Sequence, residues 1–176
     1  MYVGHIGIAL GVKGWKRPIP LSALVIAAQG PDWIDTVASA FHIRSDHAAM
    51  WSHSLPSAFV VALVVGVMAF VGWRSFATAS TFFATYLSHL PADYITGRKP
   101  LVPGAPLLGL GLYDRPRWDF AVELIVILVG WLLWRTSLLR ERRNRPAAWM
   151  LLAGLIAIQA AADFALSIRN ANVRIF

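Results

Sequence analysis

The chain has 176 residues, 57% of them hydrophobic and 14% charged, with no cysteine and a formal net charge of +7. Soluble domains carry about a quarter charged residues, so this composition excludes an ordinary soluble fold and points to a membrane protein. The missing thiols exclude disulfides, thiolate metal sites and cysteine nucleophiles, and the arginines flank apolar segments without forming a basic face interleaved with aromatics, which excludes nucleic acid as partner.

At the start, "MYVGHIGIALGVKGWKR" places its basic residues after a short apolar run, the reverse of a secretory signal peptide, so it is expected to belong to the mature fold. Val3–Val12 is too short to span a bilayer, and Ile19–Phe41 is long enough but interrupted by "QGPDWID". The two are expected as a helical pair, the first half-inserted. The polar connection "FHIRSDHAAM" follows, where His42 and His47 suit a solvated loop better than ligation.

Four segments have the apolar length of membrane spans: Leu55–Trp73, Phe76–Ile95, Phe120–Trp134 and Ala147–Ile168. Between the second and third, "GRKPLVPGAPLLGLGLYDRP" has too much Gly and Pro for one helix and too many leucines for a fully solvated loop, which predicts a re-entrant or interfacial lid. The expected architecture is all-α: a single polytopic domain over residues 1–176 with about four to six membrane-embedded helices and a Gly/Pro-rich interfacial loop.

Alternating the spans assigns the sides. Lys13, Lys16, Arg17, Arg74, Arg135, Arg140, Arg142, Arg143 and Arg145 fall on one face with Glu141, near Trp15, Trp73, Trp131, Trp134 and Trp149 as interfacial anchors. By the positive-inside rule that face is cytoplasmic. The opposite face receives His5, Asp32, Asp35, His53, His89, Asp93, Asp119 and Glu123.

Ionisable groups bordering a bilayer are costly and default to a functional reading. His89 and Asp93 are i, i+4 on a helix and share one face, so they can grip one ion, or act as ligand and orienting partner. Asp32 and Asp35, i and i+3, can do the same, although either pair alone also suits a structural cap or ion pair. His53, in "WSHSLPS", stands immediately before a span, and His5 interrupts an apolar helix. Imidazole and carboxylate without thiolate suit Zn²⁺, Mn²⁺ or Fe²⁺, with Zn²⁺ first. Glu123 is open to three roles: ligand, general base or partner of Arg117. Asp163 suits a supporting group.

The segments "VGHIGIALGVK", "AAQGPDW", "SHSLPSA", "LSHLPADY", "PLVPGAPLLGLGLYDRP" and "ELIVILVGWLLWR" together resemble a family of small bacterial polytopic membrane proteins, over nearly the whole chain. More distantly, the order of an early histidine, a Pro-Asp element, His-Ser before a span and His-x-x-x-Asp is similar to the predicted membrane-bound metal-dependent hydrolases of bacterial inner membranes. The resemblance implies a metal-dependent hydrolase and lends His5, Asp32, His53, His89 and Asp93 the role of ligands. That group has Pro-Asp-x-Asp where "PDWID" sets Asp35 one residue later, and His47, followed by Ala48, inherits no role.

The function expected is therefore a membrane-embedded hydrolase of the inner membrane. Its metal, held by His53, His89, Asp93 and His5 or Asp32, would lie near the non-cytoplasmic face, with Asp32, Asp35 or Glu123 moving the proton. Its substrate would be amphiphilic or lipid-like, a phosphoester or lipid head group. Arg98, Lys99, Arg115 and Arg117 on the lid suit either an anionic group or simple interfacial anchoring. The rival expectations are a small ion- or proton-coupled transporter and a non-enzymatic membrane scaffold.

Overall fold

The computed structural model describes residues 1–16, 18–42 and 51–173. The helices are α1 (Gly4–Trp15), α2 (Leu21–Ala28), α3 (Gly30–Ala40), α4 (Leu55–Trp73), α5 (Phe76–Leu87), α6 (His89–Thr96), α7 (Pro116–Ser137), α8 (Arg140–Arg143) and α9 (Pro146–Val173). Between α6 and α7, β1 (Lys99–Pro100) pairs antiparallel with β2 (Leu107–Leu108), and a 3-10 turn covers Leu112–Asp114. Arg17 and His47 lie outside the described residues.

Three described helices are long and apolar enough to cross a membrane: Leu55–Trp73, Pro116–Ser137 and Pro146–Ala171. They carry exposed apolar side chains along their length, among them Val60, Val64 and Val71 on α4, Ile125 and Val129 on α7, and Ile158 and Phe164 on α9. Lipid is the solvent that such a surface fits. The protein is an all-α polytopic membrane protein.

The expected span Phe76–Ile95 is instead two helices broken at Ser88. Pro91 explains the break: it has no N–H for the carbonyl of Leu87, and its ring crowds that carbonyl. The same device divides Ile19–Phe41. Pro31 has no N–H for the carbonyl of Ala27, and the helix is interrupted at Gln29. The two breaks meet in space, because His89, which opens α6, bonds the backbone of Ala28, which closes α2.

The short helix α1 is held against α7 by backbone contact. A Cβ on Gly130 would stand 1.9 Å from the Gly7 carbonyl oxygen, and one on Gly14 would stand 2.5 Å from that of Leu133. Small residues let membrane helices approach this closely. Val3, just before α1, and Leu10 of α1 complete the seam against Ile127 and Trp131 of α7 and Leu152 and Leu155 of α9. Two residues along a helix are about 200° apart, so a Gly7 that faces α7 turns His5 toward α2, α5 and α6.

The expected lid is the β1–β2 hairpin followed by the 3-10 turn. It is tied down by backbone hydrogen bonds: Leu110 N–H to the Tyr94 carbonyl (2.8 Å), Gly111 N–H to that of Gly97 (3.2 Å), and Leu55 N–H to that of Leu101 (2.9 Å). Gly109, at φ 135°, permits the turn, since a Cβ there would lie 2.2 Å from the Gly97 carbonyl oxygen.

Candidate metal centre

Each polar side chain sits where a helix starts or breaks. His5 is in the first turn of α1, Asp32 in the first turn of α3, His53 just before α4, and His89 and Asp93 one turn apart on α6. These ends converge, and His5, His53, His89 and Asp93 are buried, while the Asp32 side chain is 46% exposed.

Nε2 of His53 is the hub. It lies 3.2 Å from His89 Nε2, 3.2 Å from Asp32 Oδ1 and 3.3 Å from Asp93 Oδ2. His89 Nε2 is 3.6 Å from Asp32 Oδ1 and 3.4 Å from Asp93 Oδ2. The His5 ring stacks on His89 with centroids 3.9 Å apart, and its Nε2 lies 3.3 Å from the other oxygen of Asp93, Oδ1. That oxygen also accepts from the Met1 amino group at 2.6 Å.

The outer nitrogens decide what the inner ones can do. His89 Nδ1 is 2.9 Å from the Ala28 carbonyl oxygen, which can only accept, so the ring carries its proton on Nδ1. His53 Nδ1 faces Ser52 Oγ at 2.8 Å and Asp35 Oδ2 at 3.3 Å, and Ser52 spends its own hydroxyl proton on Asp35 Oδ1. His53 is thereby protonated on Nδ1 as well. When both rings are neutral, their Nε2 lone pairs point at each other and at two carboxylates, an arrangement that calls for a cation between them. Outer partners of this kind fix tautomer and orientation in metal-ligating histidines.

The spacing fits a cation. Donor atoms about 2.0–2.1 Å from one tetrahedral zinc stand roughly 3.3–3.4 Å apart, close to the separations found among His53, His89, Asp32 and Asp93. The groups His5, His89, Asp93 and Asp32, His53, His89 each have the compactness of a metal-ion site. With its proton on Nε2, His5 steadies Asp93; with the proton on Nδ1, which has no other partner among the described residues, it offers a fifth donor.

Asp35 supports the cluster through His53 and Ser52. Burial raises its pKa, but the hydrogen bonds from those two groups outweigh it and hold the carboxyl below the ordinary range. A cleft of about 660 Å³ opens onto Asp32, Asp35 and Asp93, with Lys99, Tyr113 and Thr36 among its walls.

Glu123 and Asp163 lie elsewhere. Glu123 accepts the backbone N–H of Tyr2 at 2.6 Å and of Gly4 at 2.8 Å, so it caps the start of α1. Gln159 on α9 accepts the intervening N–H of Val3 at 3.2 Å and donates to Asp163 Oδ2 at 2.8 Å. Asp119 is buried near them, and His42 is exposed at the end of α3. Gln159 escapes sequence reasoning, although its i, i+4 spacing with Asp163 inside an apolar helix is the available signal. The Ala28 carbonyl leaves none, because any residue supplies a carbonyl.

No curated protein and no solved structure matches the chain. A family model described as YdjM inner membrane protein matches residues 3–166, which takes in every member of the cluster. That match covers most of the chain and agrees with the three apolar helices: the chain belongs to the YdjM inner membrane protein family.

Proposed function

We propose that the protein is a membrane-embedded metal-dependent hydrolase that holds a divalent ion, Zn²⁺ first, on His53, His89 and Asp93, with Asp32 beside the position left open and His5 behind Asp93. The observation that carries this reading is the pair of Nε2 lone pairs 3.2 Å apart and flanked by two carboxylates, an arrangement that a cation stabilises and water alone does not. An ion there lowers the pKa of a water molecule and supplies Lewis acidity to the scissile bond.

The chain's own residues do the rest. Asp32, half exposed on the cleft, is the group placed to take the proton from water and return it to the leaving group. Asp35 and Ser52 keep His53 in the ligating tautomer, and the Ala28 carbonyl does so for His89. The cleft opens beside the hairpin, whose Leu107, Leu108 and Leu110 are exposed, and this favours an amphiphilic substrate. The opposite ends of α1, α4 and α7 carry Lys13, Arg74 and Arg135, so the positive-inside rule puts the cleft on the non-cytoplasmic side.

The test is elemental analysis of detergent-purified protein, followed by chelation, metal re-addition and assay against a panel of amphiphilic esters. About one equivalent of metal and metal-restored hydrolysis are expected. Protein that stays metal-free after re-addition overturns the reading. Reporter fusions at Arg140 and Pro103 test the orientation, and a cytoplasmic Pro103 overturns it.

A further inference from the structure

Of the four cationic residues expected on the lid, Arg117 belongs to the first turn of α7, and the structure brings one, Lys99, to the cleft. Arg98 is paired with Asp114 at 2.8 Å with both side chains about half exposed, and Arg115 and Arg117 are exposed. Lys99 differs: its side chain is only 23% exposed, it lines the cleft, and its Nζ stands 3.3 Å from Asp93 Oδ2. Its backbone position is fixed. Lys99 pairs with Leu108 across the hairpin, the next residue, Pro100, accepts from the Tyr94 hydroxyl at 3.3 Å, and Leu101 accepts from Leu55 N–H. The ammonium is therefore delivered to the cluster by a braced strand.

Asp93 Oδ2 is also one of the oxygens that faces His53 and His89. A divalent ion on those donors draws on the same oxygen that pairs Lys99, and the ammonium is left beside a dication with its counter-charge largely spent. Of the other carboxylates of the cleft, Asp35 faces Ser52 and His53, and Asp32 faces His53 Nε2. An anionic group in the cleft would be held by Lys99 and the ion together, whereas a neutral ester would pair with neither charge.

The rim indicates what carries the anion. Beside Lys99 stand Leu107 and Leu108, on the strand that pairs with its own, and both are exposed. Polar floor and apolar rim match a charged head on a hydrocarbon body.

Resting on the metal centre proposed above, we infer that Lys99 is the anion-positioning residue for a substrate bearing a phosphate monoester, carried on a membrane amphiphile. Hydrolysis of such an ester breaks the bond between phosphorus and the alcohol oxygen. The water oxygen goes to phosphorus with one proton, and the other proton goes to the alcohol, giving inorganic phosphate and a neutral lipid alcohol.

The experiment uses the full chain in non-ionic detergent, loaded with Zn²⁺ and assayed for metal content in every sample. Binding of dioctanoyl phosphatidic acid, glycerol 3-phosphate and dioctanoyl phosphatidylcholine is measured for the wild type, Lys99→Gln and Lys99→Arg. Lys99→Gln is expected to keep its zinc and lose about tenfold in affinity for phosphatidic acid, with Lys99→Arg restoring most of it and phosphatidylcholine weak throughout. Zinc retained with phosphatidic acid bound equally by wild type and Lys99→Gln, or phosphatidylcholine bound as tightly as phosphatidic acid, overturns the role of Lys99 and leaves the metal centre standing. No zinc uptake by the wild type overturns the metal centre, and this inference falls with it. Tighter binding of phosphatidic acid than glycerol 3-phosphate supports the membrane amphiphile, whereas equal affinity replaces it with a soluble phosphate ester.

Discussion

His53 and His89 approach each other through Nε2 at 3.2 Å while each commits Nδ1 elsewhere, His53 to Ser52 and Asp35 and His89 to the Ala28 carbonyl. Such a contact is unfavourable until a cation lies between the lone pairs. A ligand that binds only the folded state at 1,000 times its Kd adds about 4 kcal/mol of stability. Zn²⁺ is therefore expected to raise the thermal midpoint of the wild type and to leave His53→Ala and His89→Ala unmoved, read by intrinsic fluorescence in detergent. An equal rise in all three would place the ion elsewhere.

Asp35 tests the outer layer of the site. Its carboxylate reaches His53 Nδ1 and Ser52 but stands behind the ring from the cluster. Loss of an orienting partner typically costs 10–100-fold in metal affinity. Asp35→Asn should still bind one ion at saturation but with affinity lower by about that factor, measured by competition with a chelating dye. Unchanged affinity would mean that His53 is held by Ser52 alone.

Glu123 separates a structural carboxylate from a catalytic one. It accepts two backbone N–H groups at the start of α1, and a glutamine there offers one oxygen where two are used. Glu123→Gln should lower stability by about 1–2 kcal/mol while keeping metal stoichiometry and substrate affinity. A turnover rate lost at unchanged stability would return Glu123 to the chemistry.

Gly130 probes the packing beneath His5. A side chain at Gly130 collides with the backbone of Gly7 itself, which no rotamer change relieves. Gly130→Leu is expected to lower stability by on the order of 1–3 kcal/mol or more and, by pushing α1 off α7, to weaken metal binding from a distance. The paired measurement is metal affinity at a temperature where the variant remains folded. A destabilised variant with wild-type affinity would show that α1 does not position the site.

Much of this was legible in advance, for physical reasons that differ from residue to residue. Leu55–Trp73 is an uninterrupted apolar run, and a bilayer imposes helix on such a run, so its ends coincide with those of α4. His89 and Asp93 are one turn apart in sequence and remain so after the helix is broken, because the break falls at Ser88, just before both. The division of Phe76–Ile95 was hidden by hydropathy: proline breaks the helix without making the segment polar. The destination of Glu123 was hidden for another reason. A carboxylate that caps a distant helix start looks, in sequence, like one that serves an ion. Gly7 and Gly14 lie in plain view on α1, but their contact with α7 is a long-range fact that no local pattern encodes.

The hydrogen bond from His89 to the Ala28 carbonyl carries one more consequence, for the lengths of the segments and not their composition. Removing one residue from α2 would turn its last carbonyl by about 100° and shift it by about 1.5 Å, out of reach of the ring. The interval from Pro20 to Gln29 thus works as a ruler: it sets the phase in which one broken helix presents its end to the other. Side chains along that interval can be exchanged for others of similar size, whereas a single-residue change in its length would detune a histidine sixty-one positions further along the chain.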